Sequence, residues 1–179
     1  GMSIVDNPTG VGTNGPFLDW HMTNLRNYVG FTLGDAPPTD LGGVTVVPTG
    51  LGSGMLGLPG DFTPPSRFVR AAAFSASARP TKTGRETMYE AFRILDNFNV
   101  AADAVTAGKS EDDGSDLRSG TQWTVAYDTR NLTIQFHTMN NRRIREVDLK
   151  DIDFTSGKCY RTRPMDETPE EDIKKLPGF

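Results

Sequence analysis

Few side chains in this chain are suited to act as a nucleophile or a base. Cys159 is the only cysteine, and it lies in a polar stretch with no histidine near it in sequence. A cysteine and a histidine can still meet in space, so a hydrolase that uses Cys159 stays open as the third-ranked hypothesis. His21 and His137 are the only histidines, and we interpret both as surface or packing residues rather than bases or ligands.

Metal and nucleotide chemistry find little support in the sequence. The acidic run at 111–113 lacks the alternating ligands and the closing glutamate of a calcium loop, so we interpret it as a solvated turn. The glycines of residues 50–60 are not followed by Gly-Lys-Ser/Thr, which argues against a phosphate cradle. One cysteine excludes a multi-cysteine zinc site. We therefore predict no metal and no cofactor.

The elements that must position any site are predicted from apolar spacing. Helices are expected over 17–28, over 65–78 with a proline in the first turn and a small-residue face, and over 83–97. Alternating residues predict antiparallel strands. They are placed at 123–127, 132–136 and 143–149, with a possible short strand at 44–47, a solvated connection at 109–119, and a tail ending in a short helix near 170–176.

This pattern predicts an α+β fold in which helices cover an antiparallel sheet. The small-residue helix faces require more packing partners than the predicted strands supply, so we expect a sizeable exposed apolar patch at a partner or dimer surface. Length favours one domain, with residues 1–3 interpreted as the scar of a cleaved tag and 4–179 as the domain. The net charge of -4 argues against nucleic acid, and no apolar run suits a membrane span.

Two ordered motifs resemble those of one enzyme family. Thr13–Pro16 followed by Asp19–Tyr28 is similar to T-N-x-P and then D-x-Q-L-x-N-L-x-N-Y in choloylglycine hydrolases. Gly52–Asp61 and Ser66–Arg70 resemble the same family's G-x-G-L-P-G-D and S-R-F-V-R elements. A weaker match covers 121–149. The chain therefore resembles the choloylglycine hydrolase and penicillin V acylase family, over about residues 5–154 but only as the later part of a family member.

The resemblance implies an N-terminal nucleophile hydrolase with an αββα sandwich, in which a terminal cysteine attacks a linear amide. It assigns Asn14 to the oxyanion, since an asparagine amide donates hydrogen bonds without titrating. It places Arg67 beside the nucleophile, where a permanent cation favours the thiolate. Asn24, Asn27 and Arg70 are interpreted as scaffold. His21 replaces a glutamine of the family, so the loop around Asn14 is expected to differ.

Two main hypotheses follow. In the first, the chain is the C-terminal part of an amidase acting on conjugated bile salts or penicillin V-like N-acyl compounds, inactive until a missing N-terminal half or a second chain brings the cysteine. In the second, it is a non-catalytic binding or structural remnant. Substrate-binding residues and oligomeric state stay open, with a homo-oligomer possible. Similarity to the Gram-negative branch predicts a periplasmic or secreted enzyme, with the cytoplasm as the alternative.

Overall fold

The computed structural model describes residues 4–101, 104–112, 114 and 116–157. These residues form three α-helices and seven antiparallel strands, which agrees with the predicted mixture of helices and antiparallel sheet. The elements are α1 (Leu18–Asn24), β1 (Thr39–Leu41), β2 (Val44–Val46), α2 (Pro64–Ser77), α3 (Gly84–Asp96), β3 (Val105–Lys109), β4 (Asp116–Ser119), β5 (Trp123–Asp128), β6 (Thr133–Thr138) and β7 (Arg145–Asp148). No helix of the described part is long and apolar enough to cross a membrane.

The chain divides into two compact units, one ending at Arg79 and the other beginning at Pro80. The expectation that residues 4–179 belong to one hydrolase domain is not tested by this division and stays a prediction. The tail after residue 157, which includes Cys159 and the helix expected near 170–176, lies outside the described residues.

The first unit is organised by α1 and α2. The prolines at 64 and 65 stand in the first turn of α2, where a missing backbone N–H costs no helical hydrogen bond. The helix α2 buries Phe68, Val69 and Ala73. The ring of His21 on α1 stacks on Phe68 with centroids 4.2 Å apart. The helices predicted at 17–28 and 65–78 are therefore both present, the first continuing as a 3-10 helix over Leu25–Tyr28.

A short hairpin interrupts the loop between these helices. The strand predicted at 44–47 exists as β2, and it pairs with β1, which the sequence analysis did not predict. Gly42 and Gly43 connect the two strands with φ of +64° and +87°. Two successive positive φ values are what a tight hairpin turn requires, so the Gly-Gly pair is the signal that could have revealed β1.

The second unit places α3 on one face of the sheet β5-β6-β7. Its small core contains Met88 and Phe92 of α3 and Ala126 of β5, with Ile144 half-buried against them. Thr83 caps α3 by accepting a hydrogen bond from Glu86 N at 3.2 Å. The predicted third helix and all three predicted strands are thus confirmed within one residue or two.

The opposite face of this sheet is mainly apolar and only partly covered, with the guanidinium of Arg145 4.7 Å above the centre of the Phe136 ring. Trp123 and Tyr127 are 56% and 65% exposed. Cross-strand register places four half-buried apolar side chains on the same face: Val125, Ile134, Phe136 and Val147. We call these six residues the open face. Such an apolar patch agrees with the patch expected from the sequence.

One further expectation needs correction. The segment 109–119 was predicted to be a solvated connection, but Asp116–Ser119 is strand β4 and pairs with β3. These strands carry no sustained apolar alternation in sequence, and backbone pairing defines them. Trp20 on α1 is 44% exposed, and its ring lies edge-on to the His21 ring with the centroids 5.5 Å apart.

Candidate active site

The two predicted site residues meet at the beginning of α2. The Nη2 atom of Arg67 donates a hydrogen bond to Oδ1 of Asn14 at 2.6 Å, although the residues lie 53 positions apart in sequence. The Nε atom of Arg67 donates to the carbonyl oxygen of Phe62 at 3.1 Å. The guanidinium is therefore held at two points, and one of them fixes the amide of Asn14.

This contact defines which way the Asn14 amide points. A guanidinium has only donors, so the atom that it meets must be the amide oxygen. The Nδ2 group consequently faces away from Arg67, and it has no hydrogen-bond partner among the described residues. Because the guanidinium that bonds the amide oxygen is positively charged, it also withdraws electron density from the amide. The N–H groups of Asn14 are therefore better donors. The arrangement presents a polarised, non-titrating donor.

Asn14 lines a cleft of about 570 Å³ in the first unit. The cleft walls are mainly apolar, formed by the side chains Val11, Phe17, Leu18 and Phe68 beside the loop at residues 12–16. The polar side chains of Asn7, Thr13, Asn14 and His21 also line it. Apolar walls with a few oriented polar groups are typical of small-molecule sites. The geometry suits an uncharged or weakly polar group placed against the amide of Asn14.

A set of short-range hydrogen bonds shapes the loop that carries Asn14. Thr13 Oγ1 lies 3.0 Å from Nε2 of His21 and 3.5 Å from the carbonyl oxygen of Gly15. The bond between Gly15 and Pro16 is cis. His21 is only 2% exposed, so the interpretation of this histidine as a packing residue agrees with its burial, while its bond to Thr13 was not foreseen.

Asp61 anchors the segment that leads into α2. Its Oδ1 accepts from Thr63 N at 2.8 Å, and its Oδ2 accepts from Ser66 Oγ at 2.6 Å. These bonds, led by the one from Ser66, lower the pKa of Asp61 from 3.8 to about 2. Arg70 donates from Nη1 to the carbonyl oxygens of Pro59 at 2.5 Å and Asp61 at 2.7 Å. Arg70 thus makes the contacts of a scaffold residue.

We expect Asp61 to make the free energy of unfolding depend on pH below about pH 4. Its pKa is lower in the folded chain, so its contribution is fully present above about pH 4 and is lost as pH falls toward about 2. In Asp61→Asn the part of the acid-induced loss that Asp61 causes should disappear, leaving the parts due to Asp128 and Asp153, and the melting temperature at pH 7 should fall. Thermal unfolding followed by circular dichroism from about pH 2 to 7 measures both effects.

The control for Asp61 is Asp6→Asn, which removes an exposed carboxylate that makes no hydrogen bond within the described residues. This variant should keep both the melting temperature and the acid-induced loss. If Asp61→Asn and Asp6→Asn gave the same pH profile, the anchoring role of Asp61 would be wrong.

The other residues considered for chemistry lie apart from this site. His137 is buried in the second unit, with Nε2 3.7 Å from Oδ1 of Asp96, which also accepts from Arg142 at 2.7 Å. Glu111 and Asp112 are exposed in a turn, and no cluster of metal-binding side chains occurs in the described ranges. Cys159 lies outside them, so its hypothesis is untested.

Comparisons with known proteins agree on one family. The model of linear amide C-N hydrolases of the choloylglycine hydrolase family matches residues 1–163. The bile salt hydrolase/transferase of Clostridium perfringens is 32% identical over 162 residues, covering 89% of this chain and 47% of the relative. The conjugated bile acid hydrolase of Lactobacillus acidophilus is 37% identical over 113 residues, covering 63% of this chain and 36% of the relative.

Solved structures show the same likeness. The crystal structure of a mutant conjugated bile acid hydrolase from Clostridium perfringens matches with a TM-score of 0.64 and 31% identity, over 83% of this chain and 43% of that one. A second variant of that enzyme gives a TM-score of 0.62 at 32% identity. The predicted N-terminal nucleophile hydrolase fold class is therefore confirmed. The chain spans about half the length, or less, of these curated relatives.

Proposed function

Because the chain belongs to the choloylglycine hydrolase family of linear amide C–N hydrolases, we propose that it supplies the oxyanion-stabilising part of an amidase active site. The single observation that carries this proposal is the 2.6 Å bond from Arg67 to Asn14, which turns the Asn14 Nδ2 donors away from the arginine. The attacking cysteine comes from polypeptide outside the described residues, in an N-terminal half or a second chain.

The chemistry assigned to Asn14 follows from charge development. A thiolate adds to the carbonyl carbon of a linear amide, the C–S bond forms, and the carbonyl π electrons move onto oxygen. The Nδ2 group of Asn14 donates to that oxyanion, and such a donor contributes about 3 kcal/mol to lowering the barrier. The amine leaves with a proton when the tetrahedral intermediate collapses, and water then hydrolyses the thioester. Arg67 fixes Asn14 and places a permanent cation nearby.

Conjugated bile salts are the substrates that we propose first, with penicillin V-like N-acyl compounds second. The relatives are named as bile salt or conjugated bile acid hydrolases. The mainly apolar walls of the cleft beside Asn14 suit the acyl side of either compound. A periplasmic or secreted location for the full-length enzyme stays a prediction.

The open face supports the proposal of a partner half. An apolar sheet face with two aromatic side chains more than half exposed is a typical protein-protein contact surface. A segment that brings the cysteine needs apolar surface on which to pack, and the open face offers it. The competing hypothesis, a stand-alone remnant, would instead favour a polar surface here.

The direct test restores the missing part. The Cys-initiated segment encoded upstream, co-expressed with this chain, should yield hydrolysis of glycine- or taurine-conjugated bile salts, measured by amine release. This chain by itself should show none, and Cys159→Ala should leave the restored activity unchanged. Complex formation without hydrolysis of either substrate class would favour the non-catalytic remnant, and loss of activity in Cys159→Ala would favour the third hypothesis.

We expect Tyr127→Lys to weaken association with that segment roughly tenfold or more, because the change buries a charge at an aromatic contact. Isothermal titration calorimetry measures the dissociation constant. The matched control is Tyr89→Lys on α3, where the side chain is 52% exposed and off the open face. Equal effects of the two substitutions would show that the open face is not the association surface.

A further inference from the structure

The imidazole of His21 is buried at a position where one of its ring nitrogens has no hydrogen-bond partner among the described residues. It is 2% exposed, its ring lies nearly parallel to Phe68 at 4.2 Å with an interplanar angle of 8°, and its Nε2 meets Thr13 Oγ1 at 3.0 Å. Its Nδ1 is buried without a hydrogen-bond partner in the described part of the chain. Leaving one ring nitrogen unsatisfied costs free energy that simple packing by a phenylalanine would avoid.

The direction of the hydrogen bond between Thr13 Oγ1 and His21 Nε2 is assigned from a neighbouring group, the carbonyl oxygen of Gly15. A carbonyl only accepts, so the Thr13 hydroxyl donates its one hydrogen to Gly15 over a long 3.5 Å contact. We therefore assign Thr13 Oγ1 as the acceptor of a hydrogen bond from His21, which corresponds to the tautomer with hydrogen on Nε2. The hydrogen bonds run from His21 through Thr13 to Gly15. We call this network the clasp, because it holds both sequence neighbours of Asn14.

We infer that His21 is a positioning residue for Asn14, acting through the Thr13 hydroxyl. The clasp holds the loop in the conformation in which the Asn14 amide oxygen meets Arg67 and the amide nitrogen is left for the cleft. His21 does no acid-base chemistry in this role, because its free nitrogen is buried away from solvent. The inference deepens the proposed function and rests on the role assigned there to Asn14.

Matched substitutions separate the hydrogen bond from the packing. His21→Phe keeps a ring on Phe68 and removes the donor, whereas His21→Gln removes the ring and keeps an N–H donor. Thr13→Val removes the hydroxyl at nearly constant volume, and Thr13→Ser keeps it. Because Thr13 is only half-buried, its variants remain informative where a change at buried His21 impairs folding.

The first readout is NMR of the 179-residue chain and does not depend on activity. The ¹⁵N shifts of His21 in mildly alkaline buffer should show the Nε2–H tautomer. The side-chain amide signals of Asn14 should move toward those of a free asparagine in His21→Phe and in Thr13→Val. They should stay near the wild-type positions in His21→Gln and Thr13→Ser.

The second readout is kinetics with the nucleophile-bearing segment restored. His21→Phe and Thr13→Val should each lower kcat roughly tenfold with KM changed less than about twofold, and the double variant should be no worse than either single one. An Nδ1–H tautomer, unmoved Asn14 signals in Thr13→Val, or additive losses in the double variant would overturn the inference. An inactive wild-type assembly whose NMR signature is as expected would instead count against the proposed function alone.

Discussion

Replacing Asn14 by alanine is expected to lower kcat of the restored amidase by about 10²- to 10³-fold, with a much smaller change in KM. In the proposed mechanism the side chain donates to an oxygen whose full negative charge exists only in the tetrahedral intermediate, so its loss raises the barrier more than it weakens substrate binding. Steady-state hydrolysis of a conjugated bile salt measures both constants. Asn14 is exposed, so the substitution should leave the fold intact.

Asn27→Ala is the matched control for this experiment. Asn27 belongs to the same motif and is exposed, and among the described residues its amide nitrogen donates only to Asn24 Oδ1 at 3.3 Å. Its removal should change kcat less than about twofold, as expected for a surface substitution. A similar loss in Asn14→Ala and Asn27→Ala, or a loss confined to KM, would show that Asn14 does not stabilise an oxyanion.

The proximity of Asn14 and Arg67 could be predicted from the sequence only through the family motifs. Asn14 lies in a loop and Arg67 at the beginning of a helix, 53 residues apart in sequence. Residue periodicity does not predict that two such side chains will be in contact. The order and wording of the family motifs carried that information. His21 illustrates the limit, because its residue type did not reveal that Thr13 stands beside it in space.

For the sheet, alternation predicted the strands but not which face would be covered. Trp123 and Tyr127 are the aromatic residues of β5, yet they are the exposed ones, while Thr124 and Ala126 lie buried. A period of two separates the residues into two faces and leaves open what each face meets. The helix α3 covers the face that is poorer in aromatic residues, and the richer face is available for a partner.

Arg67→Lys is expected to lower kcat roughly 10- to 100-fold, even though the positive charge is kept. The guanidinium bonds Phe62 O through Nε and Asn14 Oδ1 through Nη2, 3.1 Å and 2.6 Å away. A lysine ammonium is a single point and cannot reproduce this planar two-point geometry. Losing a hydrogen bond to a charged donor costs about 1.5–3 kcal/mol, which sets the expected range. Steady-state kinetics on the restored enzyme measures the loss.

A double-variant cycle decides whether Arg67 acts through Asn14. If positioning that amide is its main task, Arg67→Lys should have little further effect once Asn14 is alanine, because the group that it orients is gone. Full additivity would mean that Arg67 acts on the thiolate or the substrate by its charge alone. Arg26→Lys, an exposed arginine of the first unit with no hydrogen bond through its side chain in the described structure, should leave kcat unchanged in either background. The cycle therefore distinguishes an arginine that orients the oxyanion donor from one that only supplies charge.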